Sequence, residues 1–311
     1  MANLTEDGNY TTTSPEVSCI IALGAAQRIF LLATNIPLSI VAFVGNFLII
    51  VTLRKVSCLH PPSKLLLGCL AGTDLGVGLN SQPLFIVFFM SSEHSKGCYY
   101  SSLLLNTIGS IFISVSLLTM TAISVDRLLA LLLGLRYRQV VTVRRVRLLV
   151  FTFWVLSTLN ATVFLYSIHI AISITCAALL LCLMISSFCY TKIYRTLRLS
   201  EAQVQDQGPK GKQNGEGIQL NKARYRKTVS TALWLQMALF ACCLPYGLVY
   251  GFILISGINT HFLKFVSYLA FSLLLFNSTL NPFLYCWKMR EMRQAVKHTI
   301  RRFFRLLTQE T

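Results

Sequence analysis

Apolar stretches, each long enough to cross a bilayer, alternate with short polar or basic connections along this 311-residue chain. A helix needs about 20 mainly apolar residues to span the hydrocarbon core. Seven stretches meet that length, at roughly 29–53, 64–90, 99–131, 147–167, 170–197, 225–256 and 262–286. Length and lack of charge decide the assignment, because lipid solvates no exposed backbone group and leaves the helix as the economical solution. Between the fourth and fifth stretches the only polar break is Tyr166-Ser167-Ile168-His169, so that loop is a few residues long. Beyond the last stretch, Val296, Ile300, Phe303 and Leu307 form one stripe and Lys297, Arg301, Arg302 and Arg305 interleave with it. That pattern predicts an amphipathic helix lying on an anionic membrane surface. The expected fold is all-α: a seven-transmembrane-helix bundle followed by a C-terminal amphipathic surface helix. Its parts are a tail at 1–28, the helical domain at 29–286 and a C-terminal segment at 287–311. The Gln-, Gly-, Asn- and Lys-rich stretch at 199–222 reads as a disordered inner loop.

Charge fixes the expected orientation. The chain is 54% hydrophobic and only 13% charged, where a soluble domain is about one quarter charged. With the N-terminus outside, only Arg28, Lys96 and Lys264 of the 28 Lys and Arg residues fall on the outer side. The opposite topology would violate the positive-inside bias. The net charge of +17 therefore faces the cytoplasm and its lipids, and it does not point to nucleic acid. Residues 1–27 hold Glu6, Asp7 and Glu16 and no basic residue, so no cleaved signal peptide is expected there. In this tail Asn3-Leu4-Thr5 and Asn9-Tyr10-Thr11 are glycosylation acceptors at Asn3 and Asn9. Most of the ten cysteines lie in apolar runs. Cys19 and Cys98 are the two placed on the oxidising outer side, and a disulfide between them is expected. No zinc spacing and no Ser/His/Asp, Cys/His or paired-carboxylate arrangement is visible, so neither an enzyme nor a resident cofactor is expected.

A few polar residues interrupt the apolar stretches, and such residues are usually functional. Asp74 lies mid-membrane, with Asn46, Ser116, Asn277 and Asn281 at comparable depth in other helices. Together they can make an oxygen-rich site for Na⁺. The alternative is a protonated Asp74 in a hydrogen-bond network. Asp126-Arg127 ends the third stretch. Pro245 should kink the sixth helix, and Asn281-Pro282 breaks a backbone hydrogen bond in the seventh.

In order and spacing these residues resemble the rhodopsin-like (class A) G-protein-coupled receptors from about residue 29 to 305. Gly45-Asn46, Asp74, Asp126-Arg127-Leu128, Trp154, Tyr190, Pro245 and Asn281-Pro282-Phe283-Leu284-Tyr285 match that family's helix signatures. The resemblance implies a plasma-membrane receptor that binds an extracellular ligand and activates a heterotrimeric G protein. Arg127 would meet the G protein when the sixth helix swings out at Pro245, Tyr190 and Tyr285 would steady the open form, and Na⁺ at Asp74 would favour the closed one.

The chain departs from the family in several places. Cys243 replaces the sixth-helix Trp, and Gly109 stands where aminergic receptors have Asp. Ser102 replaces the usual third-helix cysteine. The tiny second outer loop is similar to the melanocortin, cannabinoid and lysophospholipid branch, and the Lys288-to-Gln294 stretch is similar to adenosine receptors. The acidic cluster of melanocortin receptors is missing, with Leu84 and Asn106 at two of its positions. The expected pocket comprises Gln82, Asn106, Gly109, Ser110, Cys243, Tyr246, Tyr250 and Tyr268, none of them charged. It calls for a largely apolar, lipid-like ligand with any charged head held at the rim. Alternatives are a seven-helix transporter or a non-signalling scaffold or decoy. The absence of an internal repeat opposes the first, and intact Asp126-Arg127 and Asn281-to-Tyr285 oppose the second.

Overall fold

Helices carry most of the residues described by the computed structural model, which are 23–56, 59–206, 237–238, 240–258, 260–288 and 290–309. They run in the order α1 (Ala25–Leu53), α2 (Pro61–Gly76), α3 (Gln82–Met90), α4 (Lys96–Leu104), α5 (Ser110–Leu133), α6 (Tyr137–Val140), α7 (Val143–Tyr166), α8 (Ile168–Asp206), α9 (Phe240–Ser256), α10 (His261–Lys288) and α11 (Arg290–Gln309). No strand occurs among the described residues. A π turn at Val77–Ser81 joins α2 to α3 and another at Leu105–Gly109 joins α4 to α5. Each pair therefore makes one span, the second and the third. The first, fourth, fifth, sixth and seventh spans are α1, α7, α8, α9 and α10. Asn3, Asn9 and Cys19 lie outside the described residues.

Local chemistry explains the boundaries. Pro61 and Pro62 open α2, where a missing N–H costs nothing. Ser95 caps α4 by accepting from the Cys98 N–H at 3.1 Å, and Thr142 caps α7 by accepting from the Arg145 N–H at 3.4 Å. Gly134, at φ 52°, ends the third span in a conformation that favours glycine. Two boundaries differ from the sequence expectation. Only Ser167 separates the fourth and fifth spans. The fifth helix continues to Asp206, into the stretch read as loop, because Leu197 to Gln205 are mostly good helix formers and no breaker precedes Gly208-Pro209.

The bundle holds together through close approaches and polar cross-links. Large apolar side chains such as Ile29, Phe47, Phe151 and Phe188 point outward, as lipid requires. Inside, Ser39 donates to the Gly78 carbonyl at 2.8 Å and Asn35 donates to Ser272 Oγ at 3.0 Å, tying the first span to the second and seventh. Asn46 donates to the Ser278 carbonyl at 3.0 Å. At the inner end Met292 of α11 is buried against the first span, where Thr52 donates to its Sδ at 3.4 Å. A Cβ on Gly78 would stand 2.8 Å from the Phe43 backbone nitrogen and 3.0 Å from Ala42 Cβ. Gly78→Val should therefore force the first two spans apart at a cost of at least about 1–3 kcal/mol. Thermal unfolding in detergent would show the loss. Gly72→Ala serves as the control, because a Cβ there meets nothing within 4 Å.

Candidate ligand cavity and signalling switch

The outer half of the bundle encloses a cavity of about 190 Å³. Phe85, Phe88, Tyr268 and Phe271 form one wall, Tyr246 and Tyr250 a second, and Asn160 and Thr175 a third. The Tyr246 and Tyr250 rings tilt against each other at 4.5 Å, and Tyr246 meets Phe271 at 5.8 Å. No charged side chain lines it. Asn160 and Thr175 were not expected from the sequence. Thr175 donates to the Ala171 carbonyl at 2.9 Å, so its oxygen accepts from Asn160 Nδ2 at 3.0 Å. That relay turns Asn160 Oδ1, a buried atom with no partner among the described residues, away from Thr175.

A smaller void of about 40 Å³ lies beneath this cavity. It shares Ile113, Ser114, Thr175, Tyr246 and Leu274 with the cavity above, and it is also lined by Ser116, Asn277 and Ser278. Cys243 stands on its wall, 2% exposed. A bulkier side chain at that position would close the connection.

Ser116, Ser278 and Asn281 converge on Asp74, which is fully buried. Oδ1 accepts from Ser116 at 3.0 Å and from Ser278 at 2.8 Å, while Oδ2 accepts from Asn281 Nδ2 at 2.6 Å. Asn277 does not reach the carboxylate. Its amide nitrogen contacts Met120 Sδ at 3.7 Å, and the neighbouring Ser278 takes its place. The oxygens Asn46 Oδ1, Asn277 Oδ1 and Asn281 Oδ1 are buried without partners among the described residues. One carboxylate with surplus hydroxyl and amide oxygens suits a small hard monovalent cation, which prefers oxygen donors and needs one countercharge. No group of three or more His, Cys, Asp or Glu residues that could hold a metal occurs among the described residues.

A second carboxylate, Asp126, gathers donors at the inner end of the third span. Arg127 Nη2 lies 3.1 Å from Oδ2, Ser63 donates to Oδ2 at 2.9 Å, and Tyr137 donates to Oδ1 at 2.5 Å. Ser63 and Tyr137 come from the second span and from α6. Deeper in the membrane, Ser124 donates to the Tyr190 hydroxyl at 3.2 Å. Tyr285 is fully buried and its hydroxyl meets no partner among the described residues. Pro282 packs against the first span, since a Cβ on Gly45 would stand 3.0 Å from its Cγ. Pro245 lies within α9, where it leaves the helix one N–H short.

The structure places the expected pocket residues unevenly. Asn106, Ser110, Tyr246, Tyr250 and Tyr268 line the outer cavity. Cys243 lines the void below it. Gln82 and Gly109 line neither: Gln82 is fully buried with both amide atoms unpartnered among the described residues, and Gly109 packs toward Ser81 and Leu105. The cause is the pair of π turns. Each adds one residue to a turn, and one residue is worth about 100° of helix rotation. At the rim Arg28 and Glu93 bind each other at 2.6 Å. Cys98 is buried and disulfide-bonded, and the other described cysteines are free, so its partner lies outside the described residues.

Comparison with known proteins fits this geometry. The family described as "7 transmembrane receptor (rhodopsin family)" matches residues 45–169 and 164–285. Melanocortin receptor 5 of Bos taurus is 24% identical over 311 residues, which cover 95% of this chain and 91% of that receptor. The Mus musculus receptor of the same name is 25% identical over 325 residues, covering 98% and 95%. The Rattus norvegicus one is 24% identical over 291 residues, covering 89% and 85%. The chain therefore belongs to the rhodopsin family of seven-transmembrane receptors, and it is a multi-pass plasma-membrane signalling receptor rather than an enzyme.

Proposed function

We propose that this receptor, with its N-terminus outside the cell, binds an extracellular ligand in the outer cavity and activates a heterotrimeric G protein through outward swing of the sixth helix at Pro245. The observation that carries this is the void at Cys243. Its walls belong both to the ligand cavity, through Tyr246 and Leu274, and to the Asp74 cluster, through Ser116 and Ser278. A ligand that repositions Tyr246 thus acts on groups one layer from the carboxylate, and it needs only different affinity for the two forms to shift their populations. Na⁺ at Asp74 would favour the closed form. Opening would part Arg127 from Asp126 and present it to the G protein.

The cavity wall supports an uncharged, largely apolar ligand group, such as part of a lipid. A buried ion would find no countercharge there, and an unpaired ion is far costlier to bury than a neutral group. Arg28 and Glu93 neutralise each other at the rim, which leaves Lys96 and Lys264 to attract an anionic head. The relatives are named as melanocortin receptors, so melanocortin peptides form one arm of the test and uncharged or anionic lipids the other.

The test is G-protein dissociation in cells, read across G-protein classes with both sets of probes. Cys243→Leu adds a pair of methyl groups to the wall of the void. It should leave ligand binding intact while changing the response about fivefold or more, the lower end of usual coupling energies. An unaltered response would remove the proposed route. Robust signalling by a small cationic amine, unaffected by substitution at the rim, would refute the ligand class.

A further inference from the structure

The third span carries a polar ladder down one side of the outer cavity. Ser102, Asn106, Ser110 and Ser114 follow one another at four-residue steps, and all of them line the cavity. Four α-helical residues overshoot a full turn by about 40°, so a plain helix would wind such a ladder off its face. The π turn at Leu105–Gly109 closes over more residues and takes that overshoot back, which keeps the ladder in line. At roughly 1.5 Å per residue it runs about 18 Å along the bundle. Aromatic rings form the other side: Phe85 meets Phe271 at 5.3 Å, and Phe88 meets Tyr268 at 5.9 Å. The cavity is thus polar along one edge and apolar along the other. Its volume of about 190 Å³, drawn out beside so long a ladder, suits a single chain rather than a fused ring system.

Hydrogen bonds within the third span give the polar edge a sense. Asn106 Nδ2 donates to the Ser102 carbonyl at 2.9 Å and to Ser102 Oγ at 3.4 Å. Ser110 donates to the Thr107 carbonyl at 2.8 Å. With those protons committed to the helix, Asn106 Oδ1 and Ser110 Oγ remain as acceptors. Across the cavity Thr175 likewise commits its proton to the Ala171 carbonyl at 2.9 Å. A ligand hydroxyl matches such an edge, because it donates. A ketone or ether oxygen in its place would set acceptor against acceptor, at the desolvation cost of both. At the rim, exposed Lys96 begins the helix that carries the ladder. It pairs with no carboxylate among the described residues, where the ion pairs join Arg28 to Glu93 and Arg127 to Asp126. Asn106 lies about 15 Å further in, at ten helical residues, which is about twelve carbons of an extended chain.

We propose that the ligand is a fatty acid hydroxylated in mid-chain, an inference that rests on the outer cavity being the ligand site. Its carboxylate stays at the rim beside Lys96 and Lys264. Its chain lies between the ladder and the aromatic wall, and a hydroxyl near the twelfth carbon donates to Asn106 Oδ1. A second hydroxyl about four or five carbons away, one ladder step, reaches Ser102 or Ser110. An unsubstituted fatty acid would cover the ladder and leave its acceptors without a donor. An amine would bring a cation to a wall that holds no countercharge.

Displacement of tritiated 12-hydroxyoctadecanoic acid from the full-length receptor in phosphatidylcholine nanodiscs tests this, with empty nanodiscs as the blank. The competitors are octadecanoic acid and 12-oxooctadecanoic acid. The hydroxy acid is expected to bind about fivefold more tightly than either, the scale of one neutral hydrogen bond. Asn106→Leu should remove that preference and leave the affinity for octadecanoic acid at the wild-type value. If the leucine variant does not fold, Asn106→Ala carries the same expectation. Lys96→Gln should weaken all three acids alike and keep their order. Equal affinity for the three acids would overturn the proposal, as would a preference for the oxo acid, a preference that survives substitution of Asn106, or no saturable binding of any of them. G-protein dissociation in cells is read in parallel. Selective binding of the hydroxy acid without dissociation would uphold the ligand class and sink the activation route. Dissociation driven by melanocortin peptides, with no acid bound, would do the reverse.

Discussion

Asp126→Asn is expected to raise signalling in the absence of ligand, and Arg127→Ala to abolish signalling with or without it. In the structure Asp126 receives Arg127, Ser63 and Tyr137 together, and the residue is only 5% exposed. An asparagine retains one acceptor oxygen and loses the charge that holds the guanidinium. Removing one partner of a buried ion pair costs about 3–5 kcal/mol in the state that contains the pair. Asp126 is close to the membrane–water boundary, and its hydroxyl partners can rearrange, so about 1–3 kcal/mol against the closed form is the expected shift. That corresponds to roughly 5–150-fold in the closed-to-open ratio. Ligand-independent G-protein dissociation, normalised to surface receptor, measures it directly. Ser63→Ala and Tyr137→Phe should each produce a smaller rise, of about one neutral hydrogen bond. The double variant Asp126→Asn with Arg127→Ala should be silent, because the residue proposed to meet the G protein is then missing. If basal output stays at wild-type level in Asp126→Asn, the cluster does not hold the receptor closed.

How much of this was legible in the sequence differs with the kind of feature. Span lengths and ends were largely readable, because lipid imposes one length rule and Pro61, Ser95, Thr142 and Gly134 punctuate the chain chemically. The convergence of Ser116 and Asn281 on Asp74 was readable too, since each is a polar residue at matching depth in a separate span. Rotational detail was not. Nothing in the sequence sets Ser278 apart from its neighbour Asn277, which lies at the same depth. One step along a helix is about 100°, which is enough to exchange Ser278 for Asn277 at the carboxylate. Gln82 and Gly109 were misplaced for a related reason: no residue pattern announced the π turns at Val77–Ser81 and Leu105–Gly109. Partners that arrive from other helices left no local trace either. Ser63 and Tyr137 look like ordinary helix-end residues until the fold brings them to Asp126. Asn160 reads as one polar residue in a lipid-facing helix until Thr175 meets it across the fourth and fifth spans.

Asp74 should separate two kinds of substitution, one that preserves the fold and one that does not. Three donors point at its two oxygens, two hydroxyls at Oδ1 and one amide at Oδ2. In Asp74→Asn the remaining oxygen can keep both serines. The new amide nitrogen then faces Asn281, whose own Oδ1 has no partner among the described residues and can turn to accept it. A half-turn of the Asn281 side-chain amide thus restores that hydrogen bond and leaves only the Asn281 amide nitrogen without its former acceptor, so the variant should reach the surface at near wild-type levels. Asp74→Leu offers no acceptor. It leaves three buried donors unmet at about 1–3 kcal/mol each, a large share of the 5–15 kcal/mol that stabilises a typical domain, so surface expression should collapse. Function should part company with fold in the asparagine variant. Without the carboxylate no countercharge remains for Na⁺ among Asn46, Asn277, Asn281 and the two serines, and a desolvated cation without one is strongly disfavoured. Agonist affinity measured in sodium and then in a bulky organic cation should differ in the wild-type receptor and coincide in Asp74→Asn. Basal signalling of the variant should also become independent of sodium. A sodium effect of equal size in both proteins would mean that the carboxylate serves only as the acceptor in a hydrogen-bond network, and the cation would have to bind elsewhere.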